Sequence, residues 1–238
     1  MASQSPSREH SVTAYLLSLC LLFAGFLSIS SAGPIPTTVS PAVPSWVSWP
    51  DKALAITATE ISVEQYMACV EAGACSAENH KGCNAVDPTR SQHPMNCVNY
   101  YGAEQYCAFV GGRICTETEW LEACRGSDGR SFPYGDAFSL ESCNSQSLTV
   151  SVEGREMQTA VVGSHPACEG GFTGLFDMAG NVSEWVAKCK GEYCKFRGGG
   201  YMSNDPIDMF AGCRGVCAGN QKPFMSGTVG VRCCRDTG

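Results

Sequence analysis

The chain has 238 residues, of which 16% are charged, and a formal net charge of −7 at pH 7. This acidic balance comes without a basic patch, which argues against nucleic acid as a partner. Sixteen cysteines and a charged fraction below the typical ~25% indicate an oxidising compartment and a disulfide-rich protein.

The first segment, residues 1–32, has the pattern of a secretory signal peptide. Arg8 precedes an apolar run over residues 14–29, and residues 30–32 (SSA) are the small residues that signal peptidase accepts. The run is short for a membrane span, so we expect cleavage and no span in the mature chain. The sequence therefore predicts a secreted protein, extracellular or periplasmic.

Residues 33–50 are rich in Pro, Ser and Thr and almost uncharged, which predicts an extended linker. Residues 51–238 are expected to form one domain. A chain of that length buries roughly 70% of its unfolded surface and leaves no comfortable room for a second core.

Capping patterns mark three helices in the first half of this domain. In a capping box, a Ser or Thr side chain and a Glu or Gln three residues later satisfy each other's backbone donors. Such boxes start the first and third helices, an Asn starts the second, and glycines follow all three. The predicted helices run from Ser62 to Gly73, from near Asn99 to Gly111-Gly112, and from Thr116 to Gly126.

After Arg125 the sequence changes character, because Gly, Ser and Asn dominate and only short β-branched runs such as TAVVG at 159–163 remain. No helical period is visible there. Early helices followed by a loop-rich half with short strands predict an α+β fold.

The segment GLFDMAGNVSEW at 174–185 is the most informative in the chain. Gly180 can adopt a positive φ, and Asn181 tolerates left-handed conformations, so the two predict a tight turn. Asp177 and Glu184 flank this turn and its free carbonyls, which together could form an oxygen cage for Ca²⁺. The alternative is an ordinary turn with two solvated carboxylates.

Six blocks follow one another in a fixed order along the chain. They are EISVEQYMACV (60–70), HPMNCVNYYGAEQYCAFVGGRICTETEWLEACRG (93–126), FPYGD (132–136), GLFDMAGNVSEW (174–185), FRGGGYM (196–202) and VGVRCC (229–234). In this order they resemble the formylglycine-generating enzyme, or sulfatase-modifying factor, family. The resemblance covers about residues 60–234 and implies a C-type-lectin-like fold with little regular secondary structure, held by loops, disulfides and calcium.

The resemblance also implies two long-range disulfides, Cys107–Cys233 and Cys124–Cys213. A third pair, Cys189–Cys194, is a local hypothesis, because five residues that include a glycine could close a hairpin. Zinc is disfavoured, since no paired Cys-x-x-Cys array is present. Proximity and elimination suggest four further pairs, which are Cys69–Cys75, Cys83–Cys97, Cys143–Cys168 and Cys115–Cys234. Cys217 is then the candidate free thiol, although sequence alone does not fix connectivity.

For calcium, the resemblance implies a site built from the side chains of Asp177 and Glu184 and the carbonyls of Gly180 and Val182. A second family site would use Asn144 and the Ser145 carbonyl. Its remaining ligands should fall near residues 153–156, where the match to the family is poor.

Catalytic members of the family hold copper(I) with two cysteines, five residues apart, that follow a Gly-Gly-Ser-aromatic segment. Here residues 198–202 (GGGYM) align with that segment, and Ser203 and Asp208 occupy the two cysteine positions. Alcohol and carboxylate groups are poor ligands for copper(I), so copper is not expected. A shifted site at Cys213 and Cys217 would require the Cys124–Cys213 bridge to be absent.

Two functions follow as hypotheses. The first is a secreted, non-catalytic, calcium-stabilised scaffold whose C-terminal loops bind a protein, peptide or glycan. The second is a copper-dependent oxidase that converts a sulfatase cysteine to formylglycine, which family membership favours and Ser203 and Asp208 oppose.

Overall fold

The described part of the chain contains two four-stranded sheets, three short α-helices and three single-turn 3-10 helices, which are Asn84–Val86, Pro88–Arg90 and Pro166–Cys168. The computed structural model describes residues 43–49, 52–77, 82–145, 158–203, 212–214 and 218–238. The predicted signal peptide and most of the predicted linker lie outside these residues. Within them, no helix has the length and apolar character needed to cross a membrane.

The first sheet joins the two ends of the domain. Its strands are β1 (Trp46–Ser48), β2 (Leu54–Thr57), β3 (Arg113–Ile114) and β8 (Cys233–Asp236), in the order β1-β2-β8-β3, and all neighbours are antiparallel. Strand β8, which closes the chain, thus lies between an early strand and the short strand that precedes the third helix.

The second sheet is built around one hairpin. It consists of β4 (Ser183–Lys190), β5 (Tyr193–Arg197), β6 (Ala218–Gln221) and β7 (Val229–Gly230), in the order β6-β5-β4-β7. Strands β4 and β5 are antiparallel, and β7 adds to β4 in parallel. The predicted turn at 177–184 leads directly into β4 and is therefore fixed by this sheet.

The three predicted helices are present. They are α1 (Val63–Glu71), α2 (Tyr100–Phe109) and α3 (Glu117–Arg125). Both expected capping boxes form: Ser62 with Gln65, and Thr116 with Glu119. The Asn99 side chain accepts a hydrogen bond from the backbone of α2, as expected at a helix start.

The boundary of the predicted linker needs a correction. Trp46–Ser48, assigned to the linker at 33–50, forms β1 and pairs with β2 in the register Trp46↔Thr57. The folded domain therefore begins before residue 51. Three residues in a Pro- and Ser-rich run are too few to show an alternating pattern, so composition alone could not reveal this strand.

Aromatic side chains organise the core beneath the second sheet. The Trp185 ring packs edge-on against Tyr100 and Phe196, with centroids 5.7 and 5.3 Å away. Its indole N–H donates to the Val98 carbonyl at 3.0 Å, so the polar atom of this fully buried side chain is satisfied. Strand β4 is thereby attached to the segment that precedes α2.

Seven disulfides link cysteines within the described residues. Three join distant segments, with sequence separations of 126, 119 and 89 residues, and two of these tie α2 and α3 to the C-terminal part of the chain. The pairs are those named from the sequence: Cys69–Cys75, Cys83–Cys97, Cys107–Cys233, Cys115–Cys234, Cys124–Cys213, Cys143–Cys168 and Cys189–Cys194. Cys217 lies outside the described residues. So many bridges are typical of proteins from oxidising compartments.

Candidate functional site

The turn at 177–184 adopts the conformation that its residues favour. Gly180 and Asn181 have φ values of 78° and 52°, as expected, and Asp177 is also left-handed with φ 60°. A side chain at position 180 would place a Cβ only 2.6 Å from the Asn144 carbonyl oxygen, so glycine is required by space as well as by conformation.

Glu184 lies at the end of this turn and is completely buried. Its two carboxylate oxygens accept from Arg232 Nε at 2.8 and 3.0 Å, and Oε2 also accepts from the Trp120 indole at 2.5 Å. Burial raises the pKa of Glu184, and the positive charge of Arg232 opposes that rise. The solvated carboxylate of the alternative interpretation is therefore wrong for this residue.

Arg232 is equally buried and uses its remaining donors on backbone. Nη1 donates to the Thr57 carbonyl and Nη2 to the Phe176 carbonyl, both at 2.7 Å. One guanidinium thus connects β2, the turn and the segment just before β8. Hydrogen bonds to a charged group contribute more to protein stability than hydrogen bonds between neutral groups.

Glu60 is the residue of this cluster that sequence reasoning missed. Its side chain is fully buried, and its oxygens accept from the Val182 backbone N–H and from Asn181 Nδ2, both at 3.3 Å. Burial, followed by the negative charges of Asp177 and Glu184, raises the pKa of Glu60 well above its ordinary value. Its place in the family-like block at 60–70 was the available signal, but nothing in the sequence directed it toward the turn.

Asp177 completes a group of three buried carboxyls around one buried guanidinium. It is 2% exposed and accepts from the Gly163 backbone N–H at 2.5 Å, and burial raises its pKa. If all three carboxyls were ionised, the group would carry two uncompensated negative charges. Such an excess is relieved by a proton, for which Glu60 is best suited, or by a bound cation.

This excess of negative charge bears on the predicted calcium site. Asp177, Glu184 and the Gly180 and Val182 carbonyls all belong to one short turn, and the local charge favours a cation, so these residues fit the expected ion in charge and donor type. Arg232 competes for the Glu184 oxygens. Within the described ranges, no three His, Cys, Asp or Glu side chains converge as metal ligands. The calcium site therefore stays a prediction.

The residues of the second expected calcium site lie against the first. The Asn144 carbonyl accepts from the Asn181 backbone N–H at 2.8 Å, and its side-chain nitrogen donates to Asn181 Oδ1 at 3.1 Å. Ser145 is buried beside it. The remaining ligands expected near 153–156 lie outside the described residues.

Asn181 is also the first residue of an Asn-Val-Ser sequon. It is 1% exposed, and its Oδ1 accepts from the Ala160 backbone N–H at 2.8 Å. The folded protein therefore presents no acceptor for glycosylation at this position.

The segment aligned with the family's copper site begins where β5 ends. Gly198 and Gly199 have φ values of 98° and 68°, and the Tyr201 backbone N–H donates to the Asn181 carbonyl at 2.8 Å. Ser203 turns back on this segment, because its hydroxyl accepts from the Gly200 N–H at 2.9 Å. Asp208 lies outside the described residues.

Cys213, the one described cysteine of the shifted copper pair, is bonded to Cys124. Its Sγ is therefore not a thiolate and cannot bind copper(I) as such. A copper site at this place would require reduction of that bridge.

An open cleft of about 850 Å³ lies beside α3, on another part of the surface. The rings of Trp49 and Phe172 meet there at 4.8 Å between centroids. Lys52 lies 4.7 Å above the Trp49 ring and pairs with Glu122 at 2.5 Å. The cleft thus combines aromatic surface with both signs of charge.

The sequence matches the family described as "Sulfatase-modifying factor enzyme 1-like domain" over residues 24–237. The chain belongs to this family. The resemblance drawn from the six blocks is confirmed, and the match extends well upstream of the first block.

Curated relatives share only part of their length with the chain. The formylglycine-generating enzyme of Mus musculus is 34% identical over 106 residues, which cover 41% of this chain and 28% of the mouse protein. The serine/threonine-protein kinase pkn1 of Chlamydia caviae is 34% identical over 109 residues, covering 45% and 16%. The chain thus spans less than a third of the length of either of these two relatives, and their names describe different activities.

Among solved structures, PvdO from Pseudomonas aeruginosa aligns with a TM-score of 0.60 and 22% identity, covering 77% of this chain and 80% of that one. At this identity the likeness shows the fold alone. The expected C-type-lectin-like α+β fold, with sparse helices and many disulfides, is confirmed.

Proposed function

We propose that this protein is a secreted, non-catalytic member of its family that serves as a calcium-stabilised, disulfide-locked binding scaffold. The observation that carries the proposal is the chemistry at the aligned copper segment. Ser203 stands at the first thiol position, and its hydroxyl is engaged by the Gly200 N–H. An alcohol used in this way offers no soft ligand for copper(I).

The rest of the molecule supports a scaffold. Disulfides join the helices to the C-terminal part of the chain, so the loops between them rest on a rigid frame. The cleft beside α3 offers the aromatic and charged side chains that commonly contact peptide or sugar ligands. A protein, peptide or glycan is the proposed class of ligand.

The alternative is an active copper-dependent oxidase, which similarity to the mouse enzyme favours. Purified protein should be incubated in air with copper and a Cys-x-Pro-x-Arg peptide, with the mouse enzyme as positive control. We expect mass spectrometry to show no conversion of the peptide thiol to an aldehyde. Conversion of the thiol to an aldehyde would refute the non-catalytic proposal and direct mutagenesis to Cys217.

The binding half of the proposal needs its own test. Labelled protein should be applied to peptide and glycan arrays in calcium, with thermally unfolded protein as the control. We expect native protein to be retained on a restricted set of ligands. Retention no greater than that of the unfolded control on both arrays would contradict the scaffold role.

A further inference from the structure

One disulfide differs from the other six in its exposure. Among the fourteen bridged cysteines, Cys189 is exposed and the other thirteen are buried. Its partner Cys194 is fully buried within the core cluster that contains Trp185. Attack on a disulfide requires access to one sulfur along the S–S axis, so an incoming thiolate can reach this bridge, and only at Cys189.

The local structure around this bridge can also persist after the disulfide is reduced. It closes only five residues of sequence, at the end of the β4–β5 hairpin. Strand pairing is present on both sides of it, with Lys190↔Tyr193 toward the turn and, beyond a shift in register between Val186 and Cys189, Val186↔Lys195 toward the sheet. The two cysteines, with Cα atoms 4.1 Å apart, would therefore remain opposed after reduction and could close again.

Charge around Cys189 favours an anionic reagent. Lys188 and Lys190 flank it directly and are exposed, and Lys188 Nζ also lies 3.7 Å from Glu117 Oε2, whereas the whole chain carries a net charge of −7. Lys195 lies on the neighbouring strand, 5.9 Å from the half-exposed Tyr193 ring. Positive groups within a Debye length of about 8 Å attract an anionic thiol and stabilise a thiolate formed at Cys189.

We infer that the Cys189–Cys194 bridge is a thiol-exchange site that takes small, negatively charged thiols at Cys189. The attacking thiolate forms a bond to Cys189 Sγ, the Sγ–Sγ bond breaks, and its electron pair leaves on Cys194, which takes a proton from water. The product is a mixed disulfide at Cys189 and a buried thiol at Cys194. A second thiolate releases the symmetric disulfide of the reagent, with Cys189 as the leaving thiolate.

Reduced glutathione is a suitable probe. The native full-length chain should be treated with increasing concentrations, quenched with acid, unfolded at neutral pH in guanidinium chloride that contains N-ethylmaleimide, and mapped by mass spectrometry. We expect glutathione on Cys189 and label on Cys194 at concentrations that leave the other six bridges intact, with the thermal midpoint nearly unchanged. Earlier or simultaneous opening of another bridge, or opening only with global unfolding, would overturn the inference.

The preference for anionic thiols has a separate test. In a Lys188→Gln/Lys190→Gln variant, exchange with glutathione should slow by about threefold or more, and exchange with 2-mercaptoethanol, whose thiolate carries less negative charge, should slow less. Lys52→Gln, which removes one exposed charge beside α3, should change neither rate. Equal slowing of both reagents in the double variant would contradict an electrostatic role for these lysines.

Discussion

At the scale of single residues, Glu60 is a buried carboxyl whose pKa the fold raises well above its ordinary value. A carboxyl with a raised pKa binds its proton more tightly in the folded than in the unfolded chain. Its contribution to stability is therefore complete below the ordinary value of about 4.5 and is lost as the pH rises through the raised value. In the absence of calcium, the wild-type protein should become less stable as pH rises above that ordinary value.

Glu60→Gln provides the test. The amide keeps the size of the side chain and an acceptor for the Val182 N–H but cannot ionise, so the fall in thermal midpoint with pH should be smaller in this variant. Measurements in EDTA, across the range from about pH 4.5 upward, exclude any contribution from a bound divalent cation. Glu71→Gln, at an exposed position at the end of α1, is the matched control and should follow the wild type. Parallel curves for wild type and Glu60→Gln would show that Glu60 does not hold the proton.

The sequence revealed only part of this cluster. Asp177 and Glu184 were recognisable because both flank one turn within seven residues of each other. Arg232 is 48 residues from Glu184, and Glu60 is 121 residues from Asn181. Contacts across such separations depend on how the sheets place β2, β4 and β8, which no local pattern encodes.

At the scale of elements, helices were predictable and short strands were not. The capping box of α3 can be tested directly, because Thr116 Oγ1 accepts from the Glu119 N–H at 3.2 Å and the Glu119 carboxylate accepts from the Thr116 N–H at 2.8 Å. Thr116→Ala should lower the free energy of unfolding by about 1 kcal/mol. Thr118→Ala changes the same residue type at an exposed position inside α3 and should have little effect. Equal losses in chemical denaturation would mean that the cap does not stabilise the helix.

Strand β1 shows why the short strands could not be predicted from the sequence. A strand of three residues cannot display an alternating pattern, and its partner β2 is buried along its whole length. Its identity follows from pairing with β2, which in turn pairs with β8 from the other end of the chain. The β4–β5 hairpin was accessible only through the close spacing of Cys189 and Cys194.

Calcium binding at the turn at 177–184 should stabilise the folded protein. A cation that binds only the native state stabilises it by mass action, by about 2.7 kcal/mol at a concentration one hundred times Kd. We therefore expect calcium to raise the thermal midpoint of EDTA-treated protein. Asp177→Gly should abolish most of that rise, since glycine keeps the left-handed backbone and removes the carboxylate.

Glu184 is less suited to this test, because its removal would take away the carboxylate that is hydrogen-bonded to the buried Arg232 and destabilise the protein with or without calcium. The readout is the difference between midpoints in calcium and in EDTA for each variant. Identical melting curves of the wild type under both conditions would leave the turn as a packed hairpin neutralised by a proton and Arg232.

At the scale of the whole molecule, the disulfides set how the two halves of the sequence hold together. Cys124–Cys213 spans 89 residues and Cys189–Cys194 spans five, and both join a buried cysteine to its partner within the described domain. If a disulfide stabilises the protein by restricting the unfolded chain, Cys124–Cys213 should contribute about 2.5 kcal/mol more to the free energy of unfolding than Cys189–Cys194.

The comparison uses two double variants, each replacing both cysteines of a bridge with alanine. Cys124→Ala/Cys213→Ala should lose several kcal/mol in the free energy of unfolding, because α3 is released from the C-terminal part of the chain. Cys189→Ala/Cys194→Ala should lose much less, since that bridge closes a loop of only five residues and strand pairs lie on both sides of it. Urea denaturation followed by tryptophan fluorescence reports both values. Equal losses would show that strain or packing at the cysteines, rather than loop length, sets the contribution of each bridge to stability. A larger loss for the short bridge would show that the β4–β5 hairpin contributes more to stability than the long-range disulfide.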